Sequence, residues 1–136
     1  MATVAPTERE LQALKVLWQL GRATVRDITA AINERGESLA YTTVLSLLQV
    51  MEQKGLVGHE ASGKVYSYFP RVERDAIYRT LAGGFLERVF DGAMDEYLVH
   101  ALESKPISPA ELARLEALIA QAKGSRRKRG PSEKSR

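Results

Sequence analysis

One segment of this chain carries short polar side chains at helical spacing, of the kind that bond the edges of nucleobases. Within residues 39–57, Thr42, Ser46, Gln49 and Gln53 stand at i, i+4, i+7 and i+11. At about 100° per residue these fall on one side of a helix, and Val44, Leu47, Leu48 and Met51 fall on the other. A threonine methyl can meet a thymine methyl while its hydroxyl bonds a base or a phosphate. A glutamine amide can bond adenine through two atoms. Tyr41, Thr42, Thr43 and Ser46 in the first two turns, followed by Gln49, are therefore candidate base contacts. An ordinary solvated helix face has the same composition, and on this helix alone the two readings weigh equally. The competing role for Thr42 is a helix cap, and for Tyr41 it is packing against the first helix.

Three further side chains suit the phosphate backbone. Lys64 falls in the turn Ala61-Ser62-Gly63-Lys64, where an ammonium can reach a phosphate or a minor-groove edge. Arg26 and Arg9 stand near helix starts and are candidate backbone contacts. No catalytic constellation emerges beside them. His59 and His100 are the only histidines and belong to different expected units. Glu8/Glu10 and Asp95/Glu96 are carboxylate pairs at helix starts, which the macrodipole alone explains. Gly83-Gly84 interrupts a helix rather than following a strand, so it is not a phosphate-binding loop. The chain has no cysteine, which removes disulfides, thiolate metal ligands and cysteine nucleophiles. No catalytic residue, metal or cofactor is expected.

The elements that must position these groups are legible from caps and periods. Thr7-Glu8-Arg9-Glu10 reads as a capping box that opens a helix burying Leu11, Leu14, Leu17 and Trp18 and stopping near Gly21. Thr24-Val25-Arg26-Asp27 reads as a second, weaker box, with Val25, Ile28 and Ile32 turned inward. A short turn at Gly36-Glu37-Ser38 leads into the polar-faced helix, which Gly55 closes. Residues 56–60 and 65–70 then read as a β-hairpin, with strand formers Val57, Tyr66, Tyr68 and Phe69. Three short helices followed by a hairpin is the order of a winged helix-turn-helix.

Beyond Pro70 the chain turns helical again. Ile77, Leu81, Phe85 and Val89 recur every four residues, with Leu86 and Phe90 in the adjacent row. Leu98 and Leu102 suit a further short helix, and Leu115 and Leu118 mark a last one that starts at Ser108-Pro109-Ala110-Glu111. These helices carry more apolar surface than they can hide within themselves, so all ten residues are candidate dimerisation contacts. The Gly83-Gly84 pair fits either a close helix crossing or a kink. The expected organisation is mainly α with a small β-hairpin wing: a winged helix-turn-helix domain over 1–70, a helical dimerisation domain over 71–122, and a basic, disordered tail over 123–136.

The formal charge of +3 hides an asymmetry. Residues 123–136 hold seven Lys/Arg and one Glu, whereas residues 1–70 hold seven of each sign. The basic character thus belongs to the tail, and it is poor support for nucleic-acid binding by the folded part. The N-terminus does not read as a signal peptide, no apolar run spans a bilayer, and a cytoplasmic protein is expected.

Taken together, these motifs resemble the penicillinase/methicillin-resistance repressor family of bacterial winged-helix repressors. The resemblance runs from about Thr7 to Ala122. It rests on Thr7-Glu8-Arg9-Glu10-Leu11 with Leu17-Trp18, on Ala23-Thr24-Val25-Arg26-Asp27-Ile28, and on Leu39-Ala40-Tyr41-Thr42-Thr43-Val44 with Lys54-Gly55-Leu56-Val57. Gly63-Lys64-Val65-Tyr66-Ser67-Tyr68-Phe69-Pro70 and Phe90-Asp91-Gly92 complete it. The resemblance implies a homodimer with interlocked C-terminal helices, bound to inverted-repeat double-stranded DNA operators, often of TACA/TGTA type, that overlap a promoter. One branch of the family is cleaved when a membrane sensor with a metalloprotease domain is triggered; another responds to copper through C-terminal cysteines. The chain lacks those cysteines. The step matching the cleavage point is His100-Ala101, where the cleaved branch has Asn before Phe. Gln49 and Val50 stand where many members carry basic residues. Two other readings stay open at this point: a winged-helix protein-interaction module without specific DNA binding, and a repressor that answers to a ligand or metal.

Overall fold

In a computed structural model, which describes residues 5–129, nine elements follow in the order α1 (Glu8–Leu20), β1 (Ala23–Thr24), α2 (Val25–Glu34), α3 (Tyr41–Gln53), β2 (Val57–Ser62), β3 (Val65–Pro70), α4 (Arg74–Phe90), α5 (Met94–Glu103) and α6 (Pro109–Arg129). They form two compact units, Met1–Arg88 and Val89–Arg136. Among the described residues no helix is long and apolar enough to cross a membrane.

In the first unit the caps act as their sequences require. The Thr7 hydroxyl accepts from Glu10 N–H, and the Glu10 carboxylate accepts from Thr7 N–H at 2.9 Å. Gly21 ends α1 at φ 85°, a conformation without steric penalty only for glycine. The Thr24 hydroxyl accepts from Asp27 N–H at 3.1 Å. The return bond anticipated for this second box is not made, since an Asp at N3 is one methylene shorter than the Glu that the motif favours.

The helix-turn-helix connection is held by a residue that the sequence reading passed over. Asn33 accepts from Leu39 N–H at 2.8 Å and donates to the Leu39 carbonyl at 3.0 Å, so both ends of its amide clamp the turn. The hairpin is also larger than expected. Strand β3 pairs with β2 in the register Val57↔Pro70 to Ser62↔Val65, and on its other edge with β1 through Ala23↔Tyr68 and Thr24↔Ser67. A two-residue strand shows no period, and Thr24 doubles as the cap of α2, which is why β1 went unread.

Ala13, Leu14, Leu17, Ile28, Ile32, Val44, Leu48, Met51, Leu56 and Tyr68 form the centre of one hydrophobic core. Ile77 of α4 belongs to it as well, fully buried, with Leu81 packed against it. The Trp18 indole donates to the Val72 carbonyl at 2.9 Å and meets the Tyr78 ring edge-on. These contacts attach the first half of α4 to the winged unit and move the division from residue 70 to residue 88.

In the second unit Asp91 (φ 51°) and Gly92 (φ 82°) turn the chain out of α4. Phe90 contacts the rings of Tyr97 and His100, and the Ser108 hydroxyl caps α6 by accepting from Glu111 N–H at 3.1 Å. Helix α6 runs to Arg129, so residues 123–129 are helical where a disordered tail was expected. Lys and Arg are good helix formers and extend a helix that is already nucleated. The rest of the expected tail, 130–136, lies outside the described residues.

Candidate nucleic-acid interface

Helix α3 separates its two faces as its spacing requires. Val44, Leu48 and Met51 are fully buried, and Leu47 packs against the core. Thr42, Thr43, Ser46, Gln49 and Gln53 are all exposed, and so is Tyr41. The N-cap of α3 is Ala40, which supplies no capping side chain. Thr42 therefore does not cap the helix, and the first backbone N–H groups of α3 lack a side-chain acceptor. Tyr41 stands beside α2 rather than α1: with Arg26, Thr29 and Ala30 it lines an open groove of about 510 Å³. The structure thus brings Arg26 and Tyr41 together.

The C-terminal end of α3 is fixed by charge. Glu10 is almost wholly buried, and its carboxylate receives the Lys54 ammonium at 2.7 Å, which ties the start of α1 to the end of α3. Burial pushes the Glu10 carboxyl up, but the Lys54 ammonium together with the backbone and hydroxyl of Thr7 outweighs it and holds the group below the usual carboxylate range.

The wing is tied to the same helix. His59 Nδ1 lies 2.7 Å and 2.9 Å from the two carboxylate oxygens of Glu52 and donates to them, because an ionised carboxylate only accepts. The His59 ring stacks on Tyr66, with centroids 5.0 Å apart. At the base of the wing Arg22 lies over the Phe69 ring at 4.7 Å and Arg71 lies over it at 5.3 Å. Lys64 sits exposed in the turn between the strands, beside Gly63 at φ 65°. Arg9 is paired with Glu37 at 3.7 Å, which engages one of the anticipated backbone contacts.

The penicillinase repressor family matches residues 6–121. The chain belongs to this family. Among its relatives, the penicillinase repressor of Bacillus licheniformis is 20% identical over 121 residues, covering 89% of this chain and 94% of its own. The methicillin resistance regulatory protein MecI of Staphylococcus aureus strain N315 is 19% identical over 110 residues, covering 81% of this chain and 89% of its own. A solved complex of hsRosR-S1 superposes with a TM-score of 0.53 at 19% identity, over 88% of this chain and 94% of that chain. That likeness is one of fold. The penicillinase repressor family is one of transcriptional repressors rather than enzymes. Among the described residues no group of three or more His, Asp or Glu is placed to hold a metal ion.

The structure distributes the ten expected dimer contacts of this repressor-family chain unevenly. Ile77 is a correction: it is fully buried in the winged core and presents nothing to a partner. Leu81 is partly covered by the same core. Phe85, Val89, Leu102 and Leu118 are exposed, and Leu86, Phe90, Leu98 and Leu115 are half-buried. Within the second unit Leu98, Leu102, Leu115 and Leu118 line a cleft of about 340 Å³ with Met94, Leu112, Ile119 and Ala122. Val99, exposed on α5, was not singled out; its place beside Leu98 and Leu102 was the available signal.

Proposed function

We propose that the chain is a homodimeric transcriptional repressor that reads inverted-repeat double-stranded DNA, with α3 in the major groove and the wing against the backbone. The observation that carries this reading is α3 itself, in which Val44, Leu48 and Met51 are fully buried while Thr42, Thr43, Ser46 and Gln49 stand in solvent. In this reading Thr43, Ser46 and Gln49 meet base edges, and Tyr41 and Arg26 meet the backbone beside them. The uncapped N–H groups at the start of α3 donate to a phosphate, as those of helix N-termini do. That offsets the absence of Lys and Arg from the exposed face of α3. Lys64 reaches a neighbouring phosphate from the wing tip.

Dimerisation rests on the second unit. α5 has no buried residue, while Val89, Met94, Val99, Leu118 and Ile119 are each more than half exposed. A second copy is the economical cover for that surface, and a two-fold dimer matches a two-fold operator. The half-sites should then lie about one helical turn apart, roughly 34–36 Å. Such a reader works in the cytoplasm, where its DNA is. Release by a membrane sensor's protease at His100-Ala101 belongs to the same proposal. That bond lies inside α5, so cleavage there requires the helix to unwind first.

A footprint of the purified protein on DNA upstream of its gene, across a salt series, tests the reading. Protection of a two-fold-symmetric site that persists at physiological salt is the expected result. Diffuse protection that vanishes with modest salt would overturn it in favour of a protein-interaction module.

A further inference from the structure

The face made by α1, the end of α2 and the start of α4 carries chemistry that DNA reading leaves unused. A pocket of about 660 Å³ opens there, lined by Lys15, Trp18, Gln19, Arg35, Arg74 and Tyr78. None of these residues lies on α3 or in the wing. Three are cations and none is a carboxylate. Arg74 is already engaged, with its Nε 3.3 Å from the Asp75 carboxylate and its guanidinium 5.6 Å from the Tyr78 ring centroid. The other two are not neutralised. Arg35 donates to the uncharged Gln19 amide oxygen at 2.9 Å, and neither Arg35 nor Lys15 has an ion pair among the described residues.

The remaining wall is aromatic. Trp18 and Tyr78 meet edge-on with centroids 5.9 Å apart. The Trp18 N–H is engaged by the Val72 carbonyl, so the indole offers the pocket ring surface rather than a donor. A row of cations alone would suit a phosphate backbone. Two free cations beside an aromatic wall suit a flat ring that carries two negative groups, since each cation gains a charge-assisted bond and the ring gains an aromatic contact. The volume falls in the range of about 300–1,000 Å³ usual for small-molecule sites.

We propose that this pocket binds a small aromatic dianion, with Lys15 and Arg35 holding its two acidic groups and Trp18 and Tyr78 holding its ring. Trp18 is the chain's one tryptophan, so its fluorescence reports the pocket directly. The experiment titrates the full chain, without DNA and at constant ionic strength, with phthalate, with benzamide as the uncharged ring, and with inorganic phosphate as the ringless anion. Phthalate should give a saturable change in emission, with benzamide and phosphate at least tenfold weaker. Arg35→Gln and Lys15→Gln should each weaken phthalate by about tenfold. Both side chains are exposed, and thermal melting verifies that each variant is folded. The proposal is overturned by an unsaturable or absent response to phthalate, by equal affinity for all three probes, or by unchanged affinity in both variants. Because no DNA is present, failure here and failure of the operator reading are separate results.

Discussion

Glu10 closes the cap of α1 and also receives the Lys54 ammonium from the end of α3. The first role is written in the local motif; the second depends on a residue 44 positions away and has no local sign. Its energetic consequence is testable. Lys54→Met should cost about 2 kcal/mol, because it leaves a buried carboxylate with only its cap bonds. The lowered Glu10 pKa adds stability that is present above the unfolded-state carboxylate value and is lost as pH falls through the lower folded-state value. Urea unfolding from pH 7 towards pH 3 should therefore decline less steeply in Lys54→Met than in the parent, and parallel curves would refute the coupling. The polar face of α3 was legible at the same scale because burial of Val44, Leu48 and Met51 on one side of the helix dictates exposure of Thr42, Ser46 and Gln49 on the other. Ser46→Ala or Thr43→Ala should weaken operator binding by about 1–3 kcal/mol per lost base contact. Lys64→Ala should weaken all sequences alike and reduce the salt slope by about 1 per protomer; a changed sequence preference at constant slope would contradict its assigned role.

Helices and strands with a cap or a sustained period were readable, and those fixed by long-range pairing were not. Helix α3 was found because thirteen residues keep one apolar face. Strand β1 was missed because its two residues have meaning only opposite Tyr68 and Ser67. The Asn33 clamp was missed for a related reason, since an Asn near a helix end also fits a plain turn. Asn33→Ala removes both bonds to Leu39 and leaves those backbone groups half-buried. It should destabilise the winged unit by roughly 1–3 kcal/mol and loosen the entry to α3. Hydrogen exchange at Leu39 N–H would register that loosening, and unchanged protection would mean that the clamp is incidental. Gly58 is a second such position: a Cβ there would fall 2.8 Å from the Phe69 ring and 2.5 Å from Arg71, so Gly58→Ala should disturb the base of the wing.

At the level of the whole chain, the apolar rows beyond Pro70 were visible, but their assignment to one partner or another was not. Ile77 and Leu118 look alike in the sequence, yet one fills the winged core and the other stands 60% exposed. Periodicity reports that a face is apolar, and only packing reports what covers it. If a second copy covers the second unit, Leu118→Glu should shift sedimentation from dimer to monomer and leave the thermal unfolding of the winged unit unchanged. A dimer that persists would move the interface elsewhere.

The pairing of cations in the winged unit has a thermodynamic consequence. Arg9, Arg22 and Lys54 each face a carboxylate of the same unit, and Lys15 and Arg35 line a pocket that includes no residue of α3 or the wing, so the cations nominated for phosphates are Arg26 and Lys64. A dimer that neutralises about four phosphates in this way releases few condensed counterions. The winged units would then contribute a log–log slope of only about −3.6 to the salt dependence of affinity. Much of the binding would rest on neutral donors and on fit in the groove. At that slope a doubling of the cell's ionic strength under osmotic stress would still weaken the winged units' hold on DNA by roughly tenfold, so the regulated promoter would be partly relieved whenever the salt rises.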